Sequence, residues 1–138
     1  MNLLLLNFKK ELFDYVSNHV SDLNILNTFP GIISFDNELT IKIAQEGSKR
    51  NIIIILLDKE SFNFELLSSF VGYSNVLFIL ETNDFTEEEN VILDDCIIDI
   101  SDNIDMSILN IDDDIQTECL RSVREYIIQT QSLSFEDE

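Results

Sequence analysis

The run from Asn51 to Leu57 (Asn-Ile-Ile-Ile-Ile-Leu-Leu) limits what this chain can become more than any other stretch. From Ile52 onward it offers no polar position, so neither face of it can meet water. Successive β-branched side chains favour extended backbone. A continuous apolar run of this length fits a strand covered on both faces. Whatever surrounds it must supply two apolar layers.

The flanking pattern switches between two periods. Phe8, Leu12, Tyr15, Val16 and Val20 recur at helical spacing and predict a helix over about residues 4–22. Asn27 to Gly31, with the sole proline Pro30, ends that unit. Ile32 to Phe35 and Glu38 to Ile43 read as short strands joined by a turn at Asp36-Asn37. With the Asn51–Leu57 run they predict an antiparallel meander. Phe64, Leu67, Phe70 and Val71 share a helical face within residues 60–71, and Gly72 stands where a helix-ending glycine belongs. Residues 75–80 predict a strand, residues 84–90 an acidic loop, and residues 91–100 a strand bent at Asp94-Asp95. Residues 101–110 read as a polar link. Ile115, Cys119, Val123, Tyr126 and Ile127 trace a last helix, opened by Asp112, Asp113 and Asp114, where carboxylates suit the positive helix end. The expectation is one α+β domain over residues 1–131, in the order α-β-β-β-α-β-β-α. It has an antiparallel sheet of about five strands with three helices. Residues 132–138 read as an acidic tail.

Charge narrows the function. From Glu60 to Leu120 there is no Lys or Arg, and the whole chain carries a net charge of −19. It is nevertheless 45% hydrophobic, which marks a folded domain with an anionic skin rather than a disordered acidic segment. Such a surface repels nucleic acid and anionic membrane and favours basic proteins. No segment approaches the roughly 20 apolar residues of a membrane span. Lys9 and Lys10 follow the short Leu3–Leu6 run instead of preceding it, so it lacks the order of a signal peptide. A cytoplasmic protein is expected.

Catalytic chemistry has little to draw on. With 3 glycines, no phosphate-binding glycine loop can be built. His19 is the only histidine. Cys96 and Cys119 lie within apolar patterns, where a free thiol behaves as a small hydrophobe, and they form no disulfide framework. Glu87–Glu89 and Asp112–Asp114 lack the alternating oxygens and central glycine of a calcium loop. No catalytic residue, metal or cofactor is expected, and the reading is of a binding protein. Leu3–Leu6 and the Phe62, Phe64 pair exceed what a monomer can shelter, and exposed apolar patches mark partner surfaces.

The element order, the length and the acidity resemble the class I type III secretion chaperones. The matching pieces are the Ile33-Ser34-Phe35-Asp36-Asn37-Glu38-Leu39 hairpin after the first helix, the Phe64-Glu65-Leu66-Leu67 central helix, and the closing helix after a polar link. The resemblance covers about residues 5–130. It implies a small acidic cytosolic homodimer that holds the N-terminal segment of a secreted effector. Phe8, Leu12, Val16, Ile33, Phe35, Leu39 and Ile41 then line apolar grooves for an extended client, held partly by strand addition. Phe64, Leu67, Phe70, Val71, Leu77 and Ile79 then form the two-fold dimer contact.

A second reading keeps the binding role and moves the site. An acidic inhibitor or immunity-type protein, or a mimic of DNA charge, blocks the basic active site of a toxin or nuclease. Its carboxylates are Glu87, Glu88, Glu89, Asp94, Asp95, Asp112, Asp113 and Asp114. Electrostatic steering then speeds its association.

Overall fold

The computed structural model describes residues 2–23, 27–29, 51–59, 67–72, 75–82, 85–100, 104–109 and 114–136. The strands are β1 (Asn2–Leu6), β2 (Asn27–Phe29), β3 (Asn51–Leu57), β4 (Val76–Glu81) and β5 (Asp105–Leu109). They form one 5-stranded sheet in the order β2-β1-β3-β4-β5. Every neighbouring pair runs parallel. The helices are α1 (Lys10–His19), α2 (Glu87–Ile100) and α3 (Ile115–Glu136). This strand order is that of flavodoxin-like doubly wound sheets.

The expected antiparallel α+β architecture is therefore overturned: the fold is α/β with a parallel sheet. The Asn51–Leu57 run is its centre. Ile52, Ile54 and Leu56 point into one core with Leu3, Leu5, Leu77 and Ile79, closed over by Leu12, Val16, Cys119, Val123 and Ile127 of α1 and α3. Ile53, Ile55 and Leu57 point into the opposite core with Leu6, Val76, Phe78 and Leu80, joined by Leu67, Phe70 and by Leu93 of α2. Phe70 and Phe78 meet edge to face at 5.4 Å between ring centroids. Parallel strands need a crossover between neighbours, which covers both faces of the sheet.

Several elements differ from the sequence expectation. Leu3–Leu6 is not the start of a helix. Leu3 to Leu6 pair with Ile52 to Ile55 as an interior strand of the sheet. Leu3, Leu5 and Leu6 are buried, so this run is sheltered within the monomer. Asn7, at φ 63°, turns the chain out of the strand, and its side-chain amide donates to the Leu56 carbonyl at 2.7 Å. Left-handed backbone costs asparagine less than most residues. Residues 105–109, read as a polar link, form the edge strand β5. Thr82 Oγ1 donates to the Leu109 carbonyl at 2.9 Å and ties the ends of β4 and β5 together. Residues 84–100, read as a loop and a bent strand, contain the helix α2 instead. The final helix continues through Glu136, into the stretch read as a tail. The strand at β3, the strand at β4 and the last helix lie where the sequence placed them, and Gly72 takes φ +89°. The hairpin over residues 32–43 and Phe62 and Phe64 lie outside the described residues.

Candidate functional site

In an open parallel sheet, ligands bind at the carboxyl ends of the strands, where the strand order reverses. Here that point lies between β1 and β3. Asn7, Phe8 and Lys9 from the end of β1, Leu56 and Asp58 from the end of β3, and Glu81 from β4 surround a cavity of about 200 Å³. Small-molecule pockets usually enclose about 300–1,000 Å³. No glycine loop lies there to bring backbone N–H groups to a phosphate, and the residue after β1 is Asn7. Among the described residues, no group of three His, Cys, Asp or Glu side chains is placed to hold a metal ion. The charged groups of this crevice are the Asp58 and Glu81 carboxylates and Lys9.

The lone histidine and Cys119 serve the scaffold, and Cys96 is half-buried on α2. His19 ends α1, with Nδ1 2.7 Å from the Tyr15 carbonyl and its ring against the Tyr15 ring. Its own carbonyl accepts from Arg124 Nη1 at 2.7 Å, and Arg124 grips Asp22 bidentately at 2.9 and 3.0 Å, so the end of α1 is clamped to α3. Cys119 is buried on the inner face of α3, and burial, helped by the charge of Glu81, pushes its thiol up to about 12. A thiol held protonated in this way is a poor nucleophile. Tyr126 donates to Asp105 Oδ2 at 3.0 Å; burial first, then the Asp105 charge, raises its hydroxyl well above the usual range.

The residues assigned to apolar grooves and to a dimer contact are largely interior. Phe8, Leu12 and Val16 are buried, as are Leu67, Phe70, Leu77 and Ile79. In this fold they belong to its two cores, because the parallel sheet has helices on both sides. Val71 is exposed. Ile33, Phe35, Leu39, Ile41 and Phe64 lie outside the described residues.

The acidic set divides differently. Asp114 is the N-cap of α3: Oδ1 accepts from the Gln116 N–H at 3.2 Å and Oδ2 from the Thr117 hydroxyl at 2.8 Å. Asp112 and Asp113 lie outside the described residues. Glu87, Glu88, Glu89, Asp94 and Asp95 all come together on α2. Glu89 is occupied structurally. It closes a capping box, accepting from the Thr86 N–H at 3.2 Å while its own N–H donates to Thr86 Oγ1 at 3.2 Å. The same carboxylate accepts from Lys59 Nζ at 2.7 Å. The Lys59 hydrogen bond, then the Thr86 amide, hold its pKa below the ordinary value.

With its inner edge so fixed, α2 turns Leu93 into the core, and Ile97 packs partly buried beside it. The outer arc carries Glu88, Val91, Ile92, Asp95, Ile98 and Asp99, all exposed, at spacings of three and four residues. Val91 is 62%, Ile92 65% and Ile98 70% exposed, the highest values among the large hydrophobic residues that are described. A surface helix normally keeps one apolar stripe for the core and a polar outer face. This one is apolar on both sides. Ile108, 44% exposed, stands on the same side of the sheet, since its register partner Leu80 points into the α2-side core. The sequence reading missed Val91, Ile92 and Ile98 by treating them as strand residues. The signal that reveals them is Thr86-x-x-Glu89 followed by Leu93 and Ile97 at helical spacing.

No family model and no curated protein matches this chain. Among solved structures it is similar to the crystal structure of the Francisella novicida lysine decarboxylase LdcF, with a TM-score of 0.58 and 15% identity. The match covers 93% of this chain and 17% of that one, so the chain spans about a sixth of the enzyme it resembles. A likeness at this identity concerns the fold alone.

Proposed function

We propose that this domain is a non-catalytic binding module that takes a basic protein partner on the outer face of α2. The observation that carries the reading is the coincidence on one helix of three exposed aliphatic residues, Val91, Ile92 and Ile98, with Glu88, Asp94, Asp95 and Asp99. Covering each aliphatic side chain contributes on the order of 1.5–3 kcal/mol before association costs are met. The carboxylates select for positive charge and steer its approach. No Lys or Arg stands on α2 to neutralise them. This is the binding role with the site on carboxylates, now joined to exposed aliphatic residues.

The export-chaperone reading needs Phe8, Leu12 and Val16 at the surface, and they are core residues. A homodimer through α2 brings like charges face to face, which costs several kcal/mol. Both considerations favour a basic heterologous partner.

The test compares capture of partners from the source cells by wild type and by Ile92→Asp and Ile98→Asp. Both positions face water, so the variants keep wild-type stability. A basic protein retained at low salt by wild type, released by high salt and lost from both variants supports the reading. A partner held equally well by the variants overturns it.

A further inference from the structure

Resting on that reading, we infer that the partner presents a basic amphipathic helix, which lies along α2 in helix-on-helix packing. The backbone of α2 is satisfied within the helix: the Asn90 N–H donates to the Thr86 carbonyl at 2.9 Å, and the capping box closes its first turn. It therefore offers an incoming chain no row of free N–H and C=O groups. An extended segment pressed onto this face would bury its own backbone polar groups without partners. Strand addition solves that problem only at a sheet edge. A helix brings its hydrogen bonds with it.

The dimensions agree. From Glu88 to Asp99 the outer arc spans about 16 Å, or three turns, at 1.5 Å per residue. Val91 and Ile98 share one edge of the arc and Ile92 stands on the other, so a helix lying along the arc meets aliphatic side chains on both sides of its contact line. Glu88, Asp95 and Asp99 lie between these two edges, and Glu87 and Asp94 lie along one border, so Lys or Arg beside the partner's apolar side chains finds carboxylates along the length of α2. Charge complementarity chooses this occupant over a second copy of the chain, which carries a net charge of −19.

The probes are three synthetic peptides of about 18 residues, or five turns. One has Leu at i, i+3, i+4 and i+7 with flanking Lys and Arg. The second is the same peptide broken by two central prolines. The third has Glu in place of Lys and Arg. Binding is read by titration and by amide chemical shifts of the full chain. The helical basic peptide should bind with shifts centred on residues 88–99. Affinity should fall by about tenfold or more, over 1.4 kcal/mol, with the proline peptide and with Ile92→Asp or Ile98→Asp. The acidic peptide should not bind.

If the proline peptide binds α2 as tightly as the helical one, or the helical peptide does not bind, the inference is overturned. The binding role of α2 is then decided separately by the capture experiment. Shifts scattered over the acidic surface, with affinity unchanged by Ile92→Asp, overturn both. A wild-type dimer in sedimentation that Ile98→Asp converts to monomer makes a second copy the occupant and also overturns the inference.

Discussion

Thr86 shows how much one short side chain decides. Its hydroxyl and amide exchange hydrogen bonds with Glu89 and start α2 at a defined residue. Thr86→Ala should cost about 1 kcal/mol, the usual loss for a helix N-cap, measured by urea denaturation. Glu89 adds a pH dependence. Lys59 and the Thr86 amide lower its folded pKa below the ordinary 4.5. A carboxyl depressed on folding contributes stability above its unfolded pKa and loses it as pH falls through the folded value. The difference in melting temperature between wild type and Glu89→Gln should therefore be present at pH 7. It should close as the pH is taken below about 4.5. Both residues stand in the sequence as Thr-x-x-Glu, but the acidic run around them reads as a loop, and only the structure shows the capping box. Asp114, by contrast, is legible at the start of α3, which it caps, and is a structural residue for that reason rather than part of a binding surface.

Elements obeyed their periods where one face or both faces are buried, and misled where propensity opposed the fold. Ile54 lies wholly inside the core against α1 and α3. Ile54→Ala should cost about 2–5 kcal/mol, whereas Ile98→Asp on the outer arc of α2 should stay within about 0.5 kcal/mol in the same denaturation experiment. Finding Ile98→Asp as damaging as Ile54→Ala would mean that its side chain is already covered. The leucines of β1 are strong helix formers, yet pairing on both sides with β2 and β3 holds them extended. The reverse happened at Val91, Ile92, Ile97 and Ile98. Their β-branched side chains favour a strand, but the Thr86–Glu89 cap and the burial of Leu93 wind them into α2. Local preference is worth tenths of a kcal/mol per residue, and sheet pairing or core burial outweighs it.

At the scale of the molecule, charge and core pull in opposite directions. A net charge of −19 on one domain repels itself in the compact state. Among the described residues, the ion pairs that oppose this, Lys59–Glu89, Arg121–Glu118 and Arg124–Asp22, are at the surface, where such pairs contribute about 0–1 kcal/mol each. Screening the repulsion outweighs weakening these pairs, so the melting temperature at pH 7 should rise between low salt and about 0.5 M NaCl, measured by circular dichroism. A fall would mean that the ion pairs dominate. The amino-acid sequence by itself determined that the chain folds around a strand buried on both faces, that Ile115 to Ile127 form an amphipathic helix, and that its surface is anionic. Those properties live in composition and in runs of neighbouring residues. Only the tertiary structure decided that the strands run parallel, that Leu3–Leu6 lies beside Ile52–Ile55, and that Val91, Ile92 and Ile98 are left uncovered. An apolar strand has the same local pattern in either direction. Its direction is set by pairing with residues far along the chain, and that pairing also settles which side of a helix the sheet can cover.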